Sequence, residues 1–260
     1  MKMGVLIKRF IKFPLFAALF LSCNFSASAQ DKLIALVTGN DYPPFTDSTM
    51  PEGGLAVPLI KAVFNNQKST VSIAWKPWKR GYLETRSGRY AGTFPYRPTA
   101  EREEDFLFSD PVFHLKEVIV SRKPESFHPR NYQELVRKTV CLPIGYAPGK
   151  AMQALMDNAK IDVFRPKNMD GCFKAISRFH NLIIKTHKYL AYHQLKEKEL
   201  NPADFDITFM QDSSYTLHFI VSKQYPNAKE LMERFNKGLI NIKKNGEFQK
   251  ITRRFGVGEP

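Results

Sequence analysis

Residues 97–113 read RPTAEREEDFLFSDPVF, and this stretch decides the fold. It joins an arginine suited to gripping an anion, Arg102, to the apolar run Phe106-Leu107-Phe108 and then to a Ser109-Asp110-Pro111 stop. A guanidinium presents a planar fork of donors to a carboxylate, and charge-assisted bonds of that kind contribute about 1.5 to 3 kcal/mol each. From residue types alone, the favoured reading of Arg102 is a partner of Glu101, Glu103 or Glu104 on an exposed helix. The flanking chain has to decide between these readings.

On the N-terminal side, Leu33 to Val37 is a short apolar run ending at Thr38-Gly39-Asn40, which suits a buried strand followed by a loop. The loop Asp41-Tyr42-Pro43-Pro44-Phe45 turns the chain. After Gly53-Gly54, Ala56, Val57, Leu59, Ile60, Val63 and Phe64 follow at helical spacing, with Pro58 tolerable only in the first turn. Val71, Ile73 and Trp75 then alternate as a strand. Strand, helix, strand opens a parallel α/β sheet.

On the C-terminal side, further strands are expected at Glu117 to Ser121, Thr139 to Leu142, Ile161 to Phe164, Leu182 to Ile184 and Leu217 to Ser222, with helices between them. Leu231, Phe235, Leu239 and Ile242 make one apolar helical face, stopped at Asn245-Gly246. A shorter segment, Glu247 to Phe255, closes the chain. Neither an internal repeat nor a low-complexity tract is present.

The chain begins MKMGVLIKRFIKFPLFAALFLSCNFSASAQ. Basic Lys2, Lys8, Arg9 and Lys12 precede an apolar core from Phe13 to Leu21 and then the small residues Ala27-Ser28-Ala29, the order of a cleaved secretory signal over 1–29. Its apolar core is short for a membrane span. Acylation at Cys23 is the less favoured alternative, because Phe20-Leu21-Ser22 is a poor approach to a lipidated cysteine. Formal net charge is +14, with four of the basic residues in this leader. The remaining Lys and Arg are scattered among Glu and Asp, without zinc-finger spacing or an aromatic nucleic-acid signature, so a solvated basic surface is expected and no nucleic-acid partner. Past the leader only Cys141 and Cys172 remain. An even pair in an oxidising compartment favours a disulfide, and closing that loop contributes about 3 to 4 kcal/mol on the loop-entropy account. Two reduced, buried thiols are the alternative.

Three pieces of the chain together resemble family 3 of the bacterial extracellular solute-binding proteins, the ligand-catching subunits of amino-acid-type ABC importers. They are Asp41-Tyr42-Pro43-Pro44-Phe45, the arginine segment 97–113, and the closing run LHFIVSKQYPNAKELMERFNKGLINIKKNGEFQKITRRFG from Leu217. The resemblance covers nearly all of the chain after the leader. It implies a two-lobe α/β periplasmic binding protein of type II, the Venus-flytrap form, with a central mixed sheet in each lobe and two crossing hinge strands. Lobe one maps to 30–115 plus 217–260, and lobe two to 116–216. Such lobes close on a ligand by hinge motion.

The resemblance also carries residues across. Arg102 matches the family arginine that clamps a ligand carboxylate. Five residues earlier, where the family usually has Ser or Thr, stands Arg97; facing the cleft, it would place two like charges together unless an anion neutralised them. Gly145-Tyr146-Ala147 corresponds to a turn where backbone N–H groups at a helix start hold an anion, and Tyr146 offers a ring for stacking. Tyr42 and Trp78 align with pocket walls, with Phe45 a weaker candidate. The second-lobe acid that receives a ligand ammonium aligns within one or two residues of Thr186, so ordinary α-amino-acid binding is in doubt. The segment GYAPGKA is no P-loop, having three residues between its glycines and no Ser or Thr after Lys150.

The chain carries no GxSxG elbow and no HExxH motif, and His187 with His193 lacks convincing further metal ligands. The expectation is therefore a non-enzymatic, monomeric periplasmic protein without cofactor or metal. It would capture a small polar or anionic organic ligand and present it to an ABC permease. A ligand sensor docking to a membrane receptor, or a small periplasmic lyase on the same fold, are the alternatives.

Overall fold

The computed structural model describes residues 33–123 and 127–256, together with Met1 and Gly4. The expected signal peptide over 1–29, including Cys23, otherwise lies outside the described residues. Among the described residues no helix is long and apolar enough to cross a membrane.

From the N-terminal side the elements are β1 (Ile34–Thr38), α1 (Ala56–Asn66), β2 (Val71–Trp75), α2 (Trp78–Arg86), β3 (Gly92–Tyr96), α3 (Ala100–Asp105), β4 (Phe106–Phe108) and β5 (Phe113–Arg122). After them come β6 (Thr139–Cys141), α4 (Lys150–Asp157), β7 (Asp162–Phe164), α5 (Met169–Ile176), β8 (Leu182–His187) and α6 (Lys188–Glu197). The chain ends with β9 (Phe205–Ser222), α7 (Ala228–Lys244) and α8 (Glu247–Arg254).

Among the described residues the strands form one mixed nine-stranded sheet in the order β2-β1-β3-β9-β5-β8-β6-β7, with β4 paired to β9. At one end β1 runs parallel to both β2 and β3. At the other end β6 runs parallel to β7 and β8. The expected separate sheet in each lobe is thus replaced by two parallel ends of one continuous sheet. The physical reason is the 18-residue length of β9. Its C-terminal part pairs antiparallel with β3 and β4, and from Leu217 back to Phe205 it pairs with β5.

The helices form where the apolar spacing demands. On α1 the face Ala56, Leu59, Ile60, Val63 and Phe64 is buried, and Pro58 sits in the first turn, where its missing N–H costs nothing. On α7, Leu231, Phe235, Leu239 and Ile242 are buried. Phe64, Phe219 and Phe235 join α1, β9 and α7, with ring centroids 4.4 Å apart for Phe219 and Phe235 and 5.6 Å for Phe64 and Phe235. A smaller cluster of Ile119, Leu135, Val140, Met152, Leu155 and Ile183 packs α4 on the other end of the sheet.

Cys141, at the end of β6, and Cys172, in α5, form a disulfide with Cα atoms 5.7 Å apart. It ties the second parallel end to α5, whose N-terminus reaches the first through a bond from Met169 to Asp41.

Candidate functional site

The loop after β1 and the start of α2 build the first wall. Tyr42 is buried, and its hydroxyl lies 3.1 Å from that of Tyr215 on β9. Trp78, the first residue of α2, donates its indole N–H to Asn40 O at 2.8 Å and to Asp41 Oδ1 at 3.1 Å. Its ring covers Gly39 so closely that a Cβ there would lie 2.4 Å from the indole, which is why this position has no side chain. Tyr42, Trp78 and Tyr146 meet edge to face with centroids 5.7 to 6.4 Å apart. Phe45 lies outside this wall. It is fully buried and packs on Phe113 with centroids 4.6 Å apart.

Arg102 is placed by α3, whose N-cap Thr99 accepts a hydrogen bond from the Arg102 N–H. Its guanidinium lies over the Tyr96 ring, 4.9 Å from the centroid, and donates to Arg97 O at 2.8 Å and to Gly145 O at 3.1 Å. Burial lowers its pKa, so it is a cation short of solvation. Two of its five N–H groups are committed in these bonds.

Gly145, Tyr146 and Ala147 face Arg102, but they do not start a helix. Helix α4 begins at Lys150, and the Tyr146 N–H is taken by Pro143 O at 3.1 Å. The turn instead presents the carbonyl of Gly145 to Arg102 and the ring of Tyr146 to Tyr42. The positive φ of Gly149 and the Arg97 guanidinium packed against it interrupt the backbone just before α4, so helical amides cannot extend back to Gly145.

Behind the aromatic wall lies a charge cluster. Glu117 on β5 is 0 % exposed. One carboxylate oxygen accepts from Arg97 and from Lys185 Nζ, the latter at 2.5 Å. The other accepts from the Tyr132 hydroxyl and from the Ser213 hydroxyl. The register explains the pairing. Glu117 stands opposite His187, so Lys185 is its diagonal neighbour on the same sheet face. Burial alone would raise the Glu117 carboxyl, but the charges of Lys185 and Arg97 and the donated bonds override it and hold it at about 2. At Lys185 the balance is reversed. Its burial, reinforced by Arg97, outweighs the attraction of Glu117 and brings the ammonium down to about 8.

Arg97 therefore points inward, 4.6 Å over the Tyr215 ring. The anion that offsets the two arginines includes the protein's own Glu117. Thr186 follows Lys185 on β8, which runs on to His187 instead of ending at Ile184. Its hydroxyl is buried and finds no hydrogen-bond partner among the described residues. His187 caps α6, its Nδ1 accepting from the Leu190 N–H at 3.3 Å. Burial pushes it down to about 3, a neutral structural histidine. Among the described residues no cluster of His, Cys, Asp or Glu could hold a metal ion.

All eight sequence-derived candidates, Tyr42, Trp78, Arg97, Arg102, Gly145, Tyr146, Ala147 and Thr186, line one inner cavity of about 70 Å³. It continues past Arg102 into an outer groove of about 920 Å³ between α2, α3 and α4. Glu117, Lys185, Tyr96 and Tyr215 also line the inner cavity and were missed from sequence. The available signal was a lone acid in the apolar strand Glu117-Val118-Ile119-Val120 and a lone cation in Leu182-Ile183-Ile184-Lys185, opposite charges that burial forces to pair.

Three bonds join one end of the sheet to the other near the cavity. Arg102 reaches Gly145 O, the Tyr146 hydroxyl donates to Asp41 O at 3.2 Å, and Asp41 Oδ2 accepts from the Met169 N–H at the start of α5, at 3.0 Å. Burial raises the Asp41 carboxyl to about 6 in spite of that backbone bond.

The sequence matches, over residues 34–258, a family model described as bacterial extracellular solute-binding proteins, family 3. Among solved structures, the substrate-binding protein of an amino acid ABC transporter is 21% identical, with TM-score 0.70 over 86% of this chain and 98% of that one. A histidine kinase sensor domain with similarity to periplasmic binding proteins is 19% identical, with TM-score 0.75 over 88% of this chain and 98% of that one. A chain solved for glutathione import through GshT and the cystine importer of Streptococcus mutans is 20% identical, with TM-score 0.74 over 88% and 98%. Among curated proteins none matches the chain.

Proposed function

Because the chain belongs to the family 3 bacterial extracellular solute-binding proteins, we propose that it captures a small polar or anionic organic ligand in the periplasm and hands it to an ABC importer. The observation that carries this reading is a cavity walled from both ends of the sheet, whose lining residues Arg102 and Tyr146 bond across to Gly145 O and Asp41 O. Residues 30–115 with 217–260 act as one lobe and 116–216 as the other, turning about β5 and β9. Arg102 grips the ligand's acidic group with its uncommitted N–H groups, while Tyr42, Trp78 and Tyr146 wall the ligand in. In this reading the site holds the ligand while the lobes are closed and releases it when they part.

Docking to a membrane receptor instead of a permease is a second reading, supported by the likeness to a sensor domain. A thermal-shift screen of small carboxylates, amino acids and other polar metabolites tests capture itself, since a ligand that binds only the native state raises its melting temperature. Small-angle scattering on the responding ligand should show the particle compacting. A series with no stabilising compound would refute the reading.

A further inference from the structure

Given solute capture, on which its selectivity rests, the inner cavity sets a charge condition on whatever enters it. Its lining carries three cationic side chains, Arg97, Arg102 and Lys185, against one carboxylate, Glu117. A carboxylate has about four lone-pair sites. Those of Glu117 are already met by donors from Arg97, Lys185, Tyr132 and Ser213. An ammonium group in this cavity would face surplus positive charge and, among the described lining residues, find no acidic oxygen with room for it. A desolvated cation without a partner is strongly unfavourable.

Donors are in surplus instead. Lys185 gives one of its three N–H groups to Glu117, Arg102 has committed two of five, and the buried Thr186 hydroxyl has no partner among the described residues. We infer that the cavity selects small organic carboxylates that lack an amino group, with Arg102 on one polar end and the Lys185 and Thr186 side chains on the other. Such an anion restores to buried Lys185 and the half-buried arginines the charge balance that Glu117 alone leaves short. An α-amino acid would bring its own cation to the place where Lys185 already stands.

Calorimetric titration of the folded protein with matched pairs tests this: succinate against aspartate, 2-oxoglutarate against glutamate, and 3-phenylpropanoate against phenylalanine. The expected result is that at least one deaminated acid binds about tenfold or more tighter than its amino partner, a difference readily resolved in Kd. An amino acid binding as tightly as its deaminated partner, or tighter, overturns the inference and leaves solute capture standing. If neither member of any pair binds, the inference falls, and the thermal-shift screen decides separately whether capture falls with it. Thr186→Asp, with native near-ultraviolet dichroism as its folding control, should reverse the preference by supplying the missing acid. A folded Thr186→Asp protein that keeps the original preference overturns the role given to that position.

Discussion

Replacing Glu117 by Gln removes a single charge from a side chain that accepts four hydrogen bonds. The wild-type carboxylate is wholly buried and accepts four donors, two of them on cations. A glutamine of the same shape keeps one accepting oxygen and turns an NH₂ toward the remaining donors, leaving Arg97 and Lys185 without a counter-charge. Removing one member of a buried ion pair costs about 3 to 5 kcal/mol. Linkage gives a similar figure by a separate route. The carboxyl is held at about 2, against an ordinary value of 4.5, and a depression of that size corresponds to about 3 kcal/mol at neutral pH. Because the folded pKa is depressed, this contribution is fully present above pH 4.5 and is lost as pH falls from there toward 2. Urea unfolding at pH 7 should show Glu117→Gln destabilised by about 3 to 5 kcal/mol, with the gap to wild type narrowing at about pH 3. Adding Lys185→Met should recover part of the loss, since the orphaned ammonium is then gone. A pH 7 difference below about 1 kcal/mol, the scale of an exposed pair, or a gap that does not shrink in acid, would refute the reasoning.

Arg102→Ala should weaken binding of the stabilising ligand by roughly tenfold to a hundredfold in calorimetry, the worth of one to two charge-assisted bonds, while the circular dichroism spectrum stays native. Cys141→Ser with Cys172→Ser should lower stability by about 3 to 4 kcal/mol in urea unfolding, the loop-entropy value for the 31-residue separation; wild-type unfolded protein should show no free thiol at these positions without reductant. Gly39→Ala should displace the Trp78 indole, since the new methyl would lie 2.4 Å from it. A shifted tryptophan emission maximum and weakened ligand binding would register the change, and an unaltered spectrum would count against that packing.

Much of the fold was legible because burial writes a period into the chain. The first strand, helix and second strand follow from Leu36, Leu59, Ile60, Val63 and Ile73, and α7 from the spacing of Leu231, Phe235, Leu239 and Ile242. Strand β3 was missed because Gly92-Thr93-Phe94-Pro95-Tyr96 carries the two residues least expected inside a strand. The first half of β9 was hidden by the polar run Gln211 to Ser214, which interrupts alternation even though the backbone pairing with β5 continues around it. The cavity-lining candidates came from resemblance and from anomalies against it, above all Arg97 and Thr186. Glu117 escaped because its role depends on register. Each strand shows a single charge among apolar residues, but only the pairing of β5 with β8 shows that Glu117 and Lys185 meet.

The place of β9 also bears on how the chain is made. Strand β3 is flanked on one side by β1 and on the other by β9, and helix α1 packs against α7. A polypeptide emerging N-terminus first therefore exposes an open strand edge at β3 and the apolar face of α1 until the residues beyond Phe205 follow. The first half thus gains its partners for β3 and α1 only from the C-terminal segment. The last elements made, the end of β9 with α7, are therefore the ones that close the sheet over β3 and cover α1.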